Sequence, residues 1–268
     1  MTETPDLATL AALVAAAADA EVLPRFGRVT ARGKADGSLV TETDLALQER
    51  LRGVLGARWP EAAFLAEEMP AAAQQAGLAD GDRGVWCLDP LDGTTNYAAG
   101  FPYFAVSLAW IAGGQVRLGV VYDPVRRELY AAQRGRGATL NGTPLRATER
   151  VSSLRESVAV VDFKRLPADV ATRLATRAPF RSQRNLGAVA LDWSWLAAGR
   201  FDLYLHGAQR LWDYGAGRLV FAEAGGASCL LESLADVCDD RLTLAPRMAV
   251  AAASPALRDA WLAWLRGG

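Results

Sequence analysis

Hydrophobic and polar positions alternate along the chain between a helical and an extended period. Leu7, Leu10 and Leu13, with the Ala-rich stretch around them, predict an amphipathic helix running to about Phe26 with a kink at Pro24. Thr4 is placed as its N-cap and Pro5 in its first turn, and Gly27 and Gly33 break it. Residues 38–41 read as extended. Leu45, Leu47, Leu51 and Leu55 then keep roughly helical spacing toward Trp59-Pro60, which sets Asp44 at or near that helix's first turn. Short apolar runs at 63–66, 85–88, 104–111, 116–122 and 128–132 predict strands, and Asn141-Gly142 is a hairpin signal near their close.

The second half alternates more regularly. Strands are expected at 157–162, 181–184, 201–205 and 248–253, and helices at 167–177, 188–198, 214–224 and 255–265, with Gly225-Gly226 as a C-cap. The polar stretch 143–156 marks the boundary between an α+β half, 1–145, and an α/β half, 146–268, joined as one unit. There is no internal repeat.

Composition narrows the class of protein. Of 268 residues, 51% are hydrophobic and 22% charged with a formal net charge of -1, a soluble globular balance without a nucleic-acid or polybasic membrane footprint. The acidic start and the interruptions at Asp19 and Glu21 argue against a signal peptide or a membrane span. Cys87, Cys229 and Cys238 are few, odd in number and without metal-like spacing; they read as unpaired residues of a reducing cytoplasm. The single histidine, His206, excludes a polyhistidine zinc site, so carboxylates must carry the chemistry.

The carboxylates that matter begin in Trp86-Cys87-Leu88-Asp89-Pro90-Leu91-Asp92-Gly93-Thr94-Thr95-Asn96. Pro90 lacks an amide donor and is expected to end the strand, leaving Asp89 at its tip. Asp92-Gly93-Thr94-Thr95 resembles the opening of a helix, where unpaired amides attract an anion and Gly93 lets a phosphate approach. Glu67 and Asp213 also fall at the ends of expected elements. Like charges about 4 Å apart repel by about 4 kcal/mol at an effective dielectric of about 20, so four converging carboxylates demand cations. All-oxygen donors point to Mg²⁺ or Mn²⁺.

Spacing alone does not bring these residues together. The combination of Val40-Thr41-Glu42-Thr43-Asp44, Ala66-Glu67-Glu68, the run from Trp86 to Asn96, and Trp212-Asp213-Tyr214-Gly215-Ala216-Gly217 followed by Glu223-Ala224-Gly225-Gly226 resembles the inositol monophosphatase family in order and separation over nearly the whole chain. The resemblance implies a five-layer αβαβα sandwich of the type shared with fructose-1,6-bisphosphatase, a homodimer, and a lithium-sensitive phosphomonoesterase acting by metal-activated water. It implies that Glu67, Asp89, the Leu91 carbonyl and Thr94 hold one Mg²⁺, that Asp89, Asp92 and Asp213 hold a second, and that a weaker third leans on Glu67. Asp44 and Thr94 would take the proton of the attacking water while the Gly93 and Thr94 amides cradle the phosphate.

The substrate wall departs from the pattern. Asp92, Asp213, Gly187 and Ala188 match substrate-contacting positions of the family, and seven residues before Asp213, where inositol-hydrolysing relatives commonly carry a substrate-binding Glu, this chain has His206, which is expected to face the substrate there without a fixed negative charge. Lys164, Arg165, Arg184 and Arg210 add positive charge to the same half, and Lys34 precedes Asp36-Gly37 in a loop near the start. The expected substrate is a small phosphorylated alcohol or sugar such as inositol 1-phosphate. Histidinol phosphate, fructose 1,6-bisphosphate, a 3'(2'),5'-bisphosphate nucleotide, and an added regulatory role with the transcription machinery are the alternatives. Direct binding to nucleic acid or membrane is not expected.

Overall fold

The computed structural model describes residues 5–34, 37–79 and 83–267. The first helix, α1 (Leu7–Glu21), is capped by Asp6, whose carboxylate accepts the Thr9 amide at 2.8 Å. Thr4, the residue expected to cap it, lies outside the described residues. The helix stops before Pro24, which lies in the middle of a separate 3-10 turn, Leu23–Arg25, instead of kinking a longer helix. By length and apolarity Leu7–Arg25 would pass for a membrane span. Its buried stripe of Leu10, Val14, Ala17 and Ala18 instead packs on the protein's own sheet, as in a core helix.

A two-residue ladder, β1 (Arg32–Gly33) with β2 (Leu39–Val40), leads into α2 (Glu42–Arg58). Strand β3 (Ala63–Ala66), helix α3 (Ala71–Ala79), strand β4 (Val85–Asp92) and the short α4 (Thr94–Ala98) follow. Then come β5 (Ala105–Ala112), β6 (Gln115–Asp123), β7 (Glu128–Gln133), β8 (Gly137–Leu140) and β9 (Thr143–Leu145). Asn141 and Gly142, both at positive φ, make the expected β8–β9 turn. These strands form one seven-stranded sheet in chain order, antiparallel except for the parallel pair β3–β4.

The later half supplies β10 (Val158–Asp162), α5 (Ala168–Thr176), β11 (Ser182–Arg184), α6 (Val189–Ala197), β12 (Leu203–Gln209), α7 (Leu211–Glu223), β13 (Ala227–Leu231), β14 (Arg247–Ala252) and α8 (Pro255–Leu265). Its five strands are ordered β11-β10-β12-β14-β13, with β10 parallel to both neighbours.

Three apolar clusters define the layers. One joins α1 and α2 to the outer face of the large sheet; the second joins both sheets through α6 and α7; the third joins the small sheet to α5 and α8. The order is therefore α, β, α, β, α, the expected five-layer sandwich. Helix α7 fits into the middle layer because Gly217 has no side chain: a Cβ there would lie 2.8 Å from the Trp193 Cβ and 3.0 Å from the Ala190 carbonyl of α6.

Two further expectations are corrected. Pro90 does not end β4, which continues to Asp92 across a register shift between Asp89 and Asp92, where no ladder bond needs the missing amide. Nor are the cysteines all unpaired: Cys229 and Cys238 form a disulfide and only the buried Cys87 is free, which removes the cysteine argument for a reducing compartment.

Candidate active site

The site is built where β3, β4 and three helix starts meet. Thr41 caps α2, and Asp44, three residues on, closes a capping box by accepting the Thr41 amide at 2.8 Å and its hydroxyl at 2.5 Å through Oδ2. The other oxygen of Asp44 lies 3.2 Å from the Thr94 hydroxyl, which is also 2.9 Å from the Leu91 carbonyl oxygen. The local helix signal thus fixes Asp44 with one oxygen facing the Asp92-Gly93-Thr94 turn. Burial raises the Asp44 pKa, against the bonds from Thr41.

The turn itself requires Gly93. Its φ is 92°, and a Cβ would come within 2.9 Å of the Tyr103 carbonyl oxygen and 3.1 Å of the Ala188 side chain. Asp92 accepts the Ala190 amide at 2.5 Å, pinning the first turn of α6 beside the motif. Asn96 finishes the junction by donating to the carbonyls of Tyr103 and Leu186, each at 2.7 Å, so Gly187 and Ala188 are held next to Gly93. Asn96 stood in the sequence motif without a role; only the packing of α6 supplies one.

Asp89 and Asp92 are 1% and 8% exposed. Burial pushes both pKa values well up, reinforced at Asp89 by Glu67, Asp92 and Asp213, and at Asp92 by Asp213. Asp213 sits in the first turn of α7 and accepts the Arg210 amide at 2.8 Å; burial and the Glu67 charge raise it to about 7 despite that bond and nearby Arg165 and Arg210. The fold therefore brings Asp44, Glu67, Asp89, Asp92, Thr94 and Asp213 into one electrostatically coupled site.

Its positive charge comes from Lys34, whose ammonium lies 2.8 Å from Glu67 and 2.5 Å from Glu68. Burial works against the Lys34 charge, but the two carboxylates outweigh it and raise its pKa; burial and Glu67 raise Glu68 to about 7. Among the described residues no three acids are drawn close enough to hold an ion as they stand. The donor set nonetheless fits a hard divalent cation: every donor is oxygen, and a cation would offset the burial and carboxylate repulsion that raise Asp89, Asp92 and Asp213.

His206 lies on β12 beside Asp162. Its ring is 5% exposed, Nε2 lies 3.1 Å from Asp162 Oδ2, and Nδ1 accepts the Ala208 amide at 3.2 Å, so both nitrogens are engaged within the protein. Asp162 and His206 are register partners on parallel β10 and β12. Burial would raise Asp162, yet His206 and Arg165, whose Nε is 3.4 Å away, leave its pKa below the ordinary value. Lys164 is exposed on the same turn. Arg184 bonds its own strand, to Ser182 Oγ and the Gln183 carbonyl, and Arg210 donates to the Leu244 carbonyl.

Comparison with known proteins converges on one family. The inositol monophosphatase family profile matches residues 4–264. Inositol monophosphatase 1 of Solanum lycopersicum is 38% identical over 204 residues, covering 74% of this chain and 73% of that protein. Nus factor SuhB of Pasteurella multocida is 36% identical over 203 residues, 73% of each chain. Among solved structures, Thermotoga maritima IMPase superposes with a TM-score of 0.81 at 27% identity, covering 97% of this chain and 96% of its own. An IMPase/NADP phosphatase complexed with Mg²⁺ and phosphate gives a TM-score of 0.79 at 26% identity over 93% of this chain and 91% of its own.

Proposed function

We propose that this chain, which belongs to the inositol monophosphatase family and is a phosphatase, hydrolyses a small phosphorylated alcohol or sugar with two to three Mg²⁺ ions. One observation carries the reading: the buried Asp89 and Asp92 and the half-buried Asp213 are all raised in pKa, by burial first and then by neighbouring carboxylates, beside the Asp44–Thr94 contact and the Gly93 turn. Glu67, Asp89, the Leu91 carbonyl and Thr94 would hold one ion and Asp89, Asp92 and Asp213 another, with a third on Glu67. When bound, Mg²⁺ neutralises the ester phosphate and acidifies water.

The chain's own residues do the rest. Amides of Gly93 and Thr94 hold phosphate oxygens, and the Thr94 hydroxyl with Asp44 accepts the proton of the attacking water. Asp44 suits this role because the Thr41 bonds fix one of its oxygens and leave the other facing Thr94. The two halves, 1–145 and 146–268, act as one catalytic unit, and the active species is a homodimer.

At the leaving-group end, Asp92, Asp213, Gly187 and Ala188 face the alcohol, and His206 acts through Asp162. The carboxyl ends of parallel β10 and β12, where ligands of open α/β sheets are bound, carry Arg165 and Arg210. This favours an ester with a second anionic group. A phosphate-release panel tests the reading: inositol 1-phosphate, fructose 1,6-bisphosphate, histidinol phosphate, a 3',5'-bisphosphate nucleotide and NADP, each with Mg²⁺ or EDTA. Mg²⁺-dependent release with preference for a doubly anionic ester supports it; turnover in EDTA overturns it. The relationship to proteins named Nus factor SuhB supports a second, regulatory role, which capture of transcription proteins from nuclease-treated lysate would test.

A further inference from the structure

The crossing between β13 and β14, residues 232–246, does no catalytic work in this account, yet it is tied to the helix that carries Asp213. Cys229, in the middle of β13, is fully buried, and its disulfide partner Cys238 is exposed on the crossing nine residues later. The crossing reaches α7 through two arginines of that helix and its cap. Arg218 Nη2 meets Asp240 Oδ1 at 2.5 Å, and Arg210 Nη1, on the residue whose amide caps Asp213, donates to the Leu244 carbonyl at 2.8 Å. Leu242 and Leu244 pack on the cluster that contains Trp212 and Tyr214, the neighbours of Asp213. Leu242 and Asp240 of the crossing line a pocket of about 230 Å³ together with Tyr214 and Arg218 of α7.

The crossing is also held by the Asp239 amide, which donates to the Leu230 carbonyl at 2.9 Å, and by two arginines. Arg266 donates to the carbonyls of Leu234 and Asp236 in exposed positions, and the buried Arg247 donates to the Asp239 carbonyl at 2.8 Å. Val237 is 82% exposed and contributes no core contact. The Arg266 contacts are exposed and stabilise little, and Leu234 packs on the third cluster, so the disulfide is the covalent constraint on 232–238.

We propose that the Cys229–Cys238 disulfide is a redox-operated tether that sets how firmly α7 presents Asp213 to the metal site. A small or protein dithiol is the reductant. One of its thiolates attacks the exposed Cys238 sulfur, releasing the Cys229 thiolate, which takes up a proton. The second reductant thiol then displaces Cys238 from the mixed disulfide, so two electrons and two protons pass from the dithiol to the cysteine pair. The opened crossing loosens its grip on Arg210 and Arg218, and the metal site weakens. The tether's effect on metal rests on the assignment of Asp213 as a ligand.

The test compares the oxidised and dithiothreitol-reduced full chain. Alkylation of unfolded protein followed by intact mass is expected to label Cys87 alone in the oxidised form and three cysteines after reduction. Calorimetric Mg²⁺ titration is expected to show binding about fivefold weaker on reduction. Trypsin cleavage after the exposed Arg241 is expected to be about tenfold faster. Cys238→Ser should behave as the reduced protein in both conditions. Alkylation of Cys229 and Cys238 in the oxidised form, or equal Mg²⁺ affinity in the two forms, overturns the tether. Failure of the oxidised protein to bind Mg²⁺ overturns the metal assignment and the coupling with it.

Discussion

Replacing Asp213 by Asn should move stability and activity in opposite directions. In the metal-free protein burial and the Glu67 charge lift Asp213 from the ordinary carboxylate value of 3.8 to about 7. An acid whose folded pKa is raised contributes stability below its unfolded pKa and loses that contribution as pH rises through the folded value. The loss therefore develops between pH 3.8 and about 7 and is complete at pH 8. That interval corresponds to about 4 kcal/mol, and partial exposure screens it to about 2 kcal/mol. Asn is uncharged and keeps an oxygen to accept the Arg210 amide, so at pH 8 in EDTA the variant should melt about 5 °C higher than the parent. At pH 4 the difference should shrink toward zero, because the parent's Asp213 is then largely protonated. Mg²⁺-dependent phosphate release should fall at least about a hundredfold, as expected on losing a carboxylate ligand. Thermal melts at both pH values and a phosphate-release assay check these outcomes together. A variant that melts lower than the parent at pH 8 in EDTA, or keeps a tenth of its activity, would refute the reasoning.

Asn96→Ala leaves the Tyr103 and Leu186 carbonyls without their shared donor and should cost about 1–3 kcal/mol with a fall in kcat, read from denaturant melts and initial rates. Gly93→Ala forces a side chain into the left-handed region against the Tyr103 carbonyl and should cut phosphate affinity and turnover, measured by product inhibition. Asp44→Asn should hold α2 nearly as firmly, whereas Asp44→Ala should lose about 1 kcal/mol of capping; both should abolish turnover, so the pair separates the two duties of this residue. Li⁺ should inhibit in a manner that depends on Mg²⁺, checked by titrating one against the other.

Much of this site could be read from the chain because its acids sit where local signals change. Asp44 follows a capping Thr, Glu67 follows a four-residue apolar run, and the Asp92-Gly93 pair marks a turn that only glycine fills. Helix α3 escaped because its Ala-Ala-Ala-Gln-Gln run has no strong apolar stripe. Strand β13 escaped because it follows Gly225-Gly226 directly. The full extent of β4 was hidden by Pro90, whose effect on a ladder depends on whether that residue faces a bulge. Neither the disulfide nor the His206–Asp162 contact could be found from spacing, since each depends on which strands and crossings become neighbours. Lys34 is a similar case: only the folded loop sets its ammonium on Glu67 and Glu68.

The most direct test is anomalous diffraction from crystals soaked in Mn²⁺ with phosphate. At least two Mn²⁺ peaks among Glu67, Asp89, Asp92 and Asp213, with phosphate against the Gly93 and Thr94 amides, are the predicted result. Mn²⁺ absent from these carboxylates, or bound only elsewhere on the surface, would contradict the account.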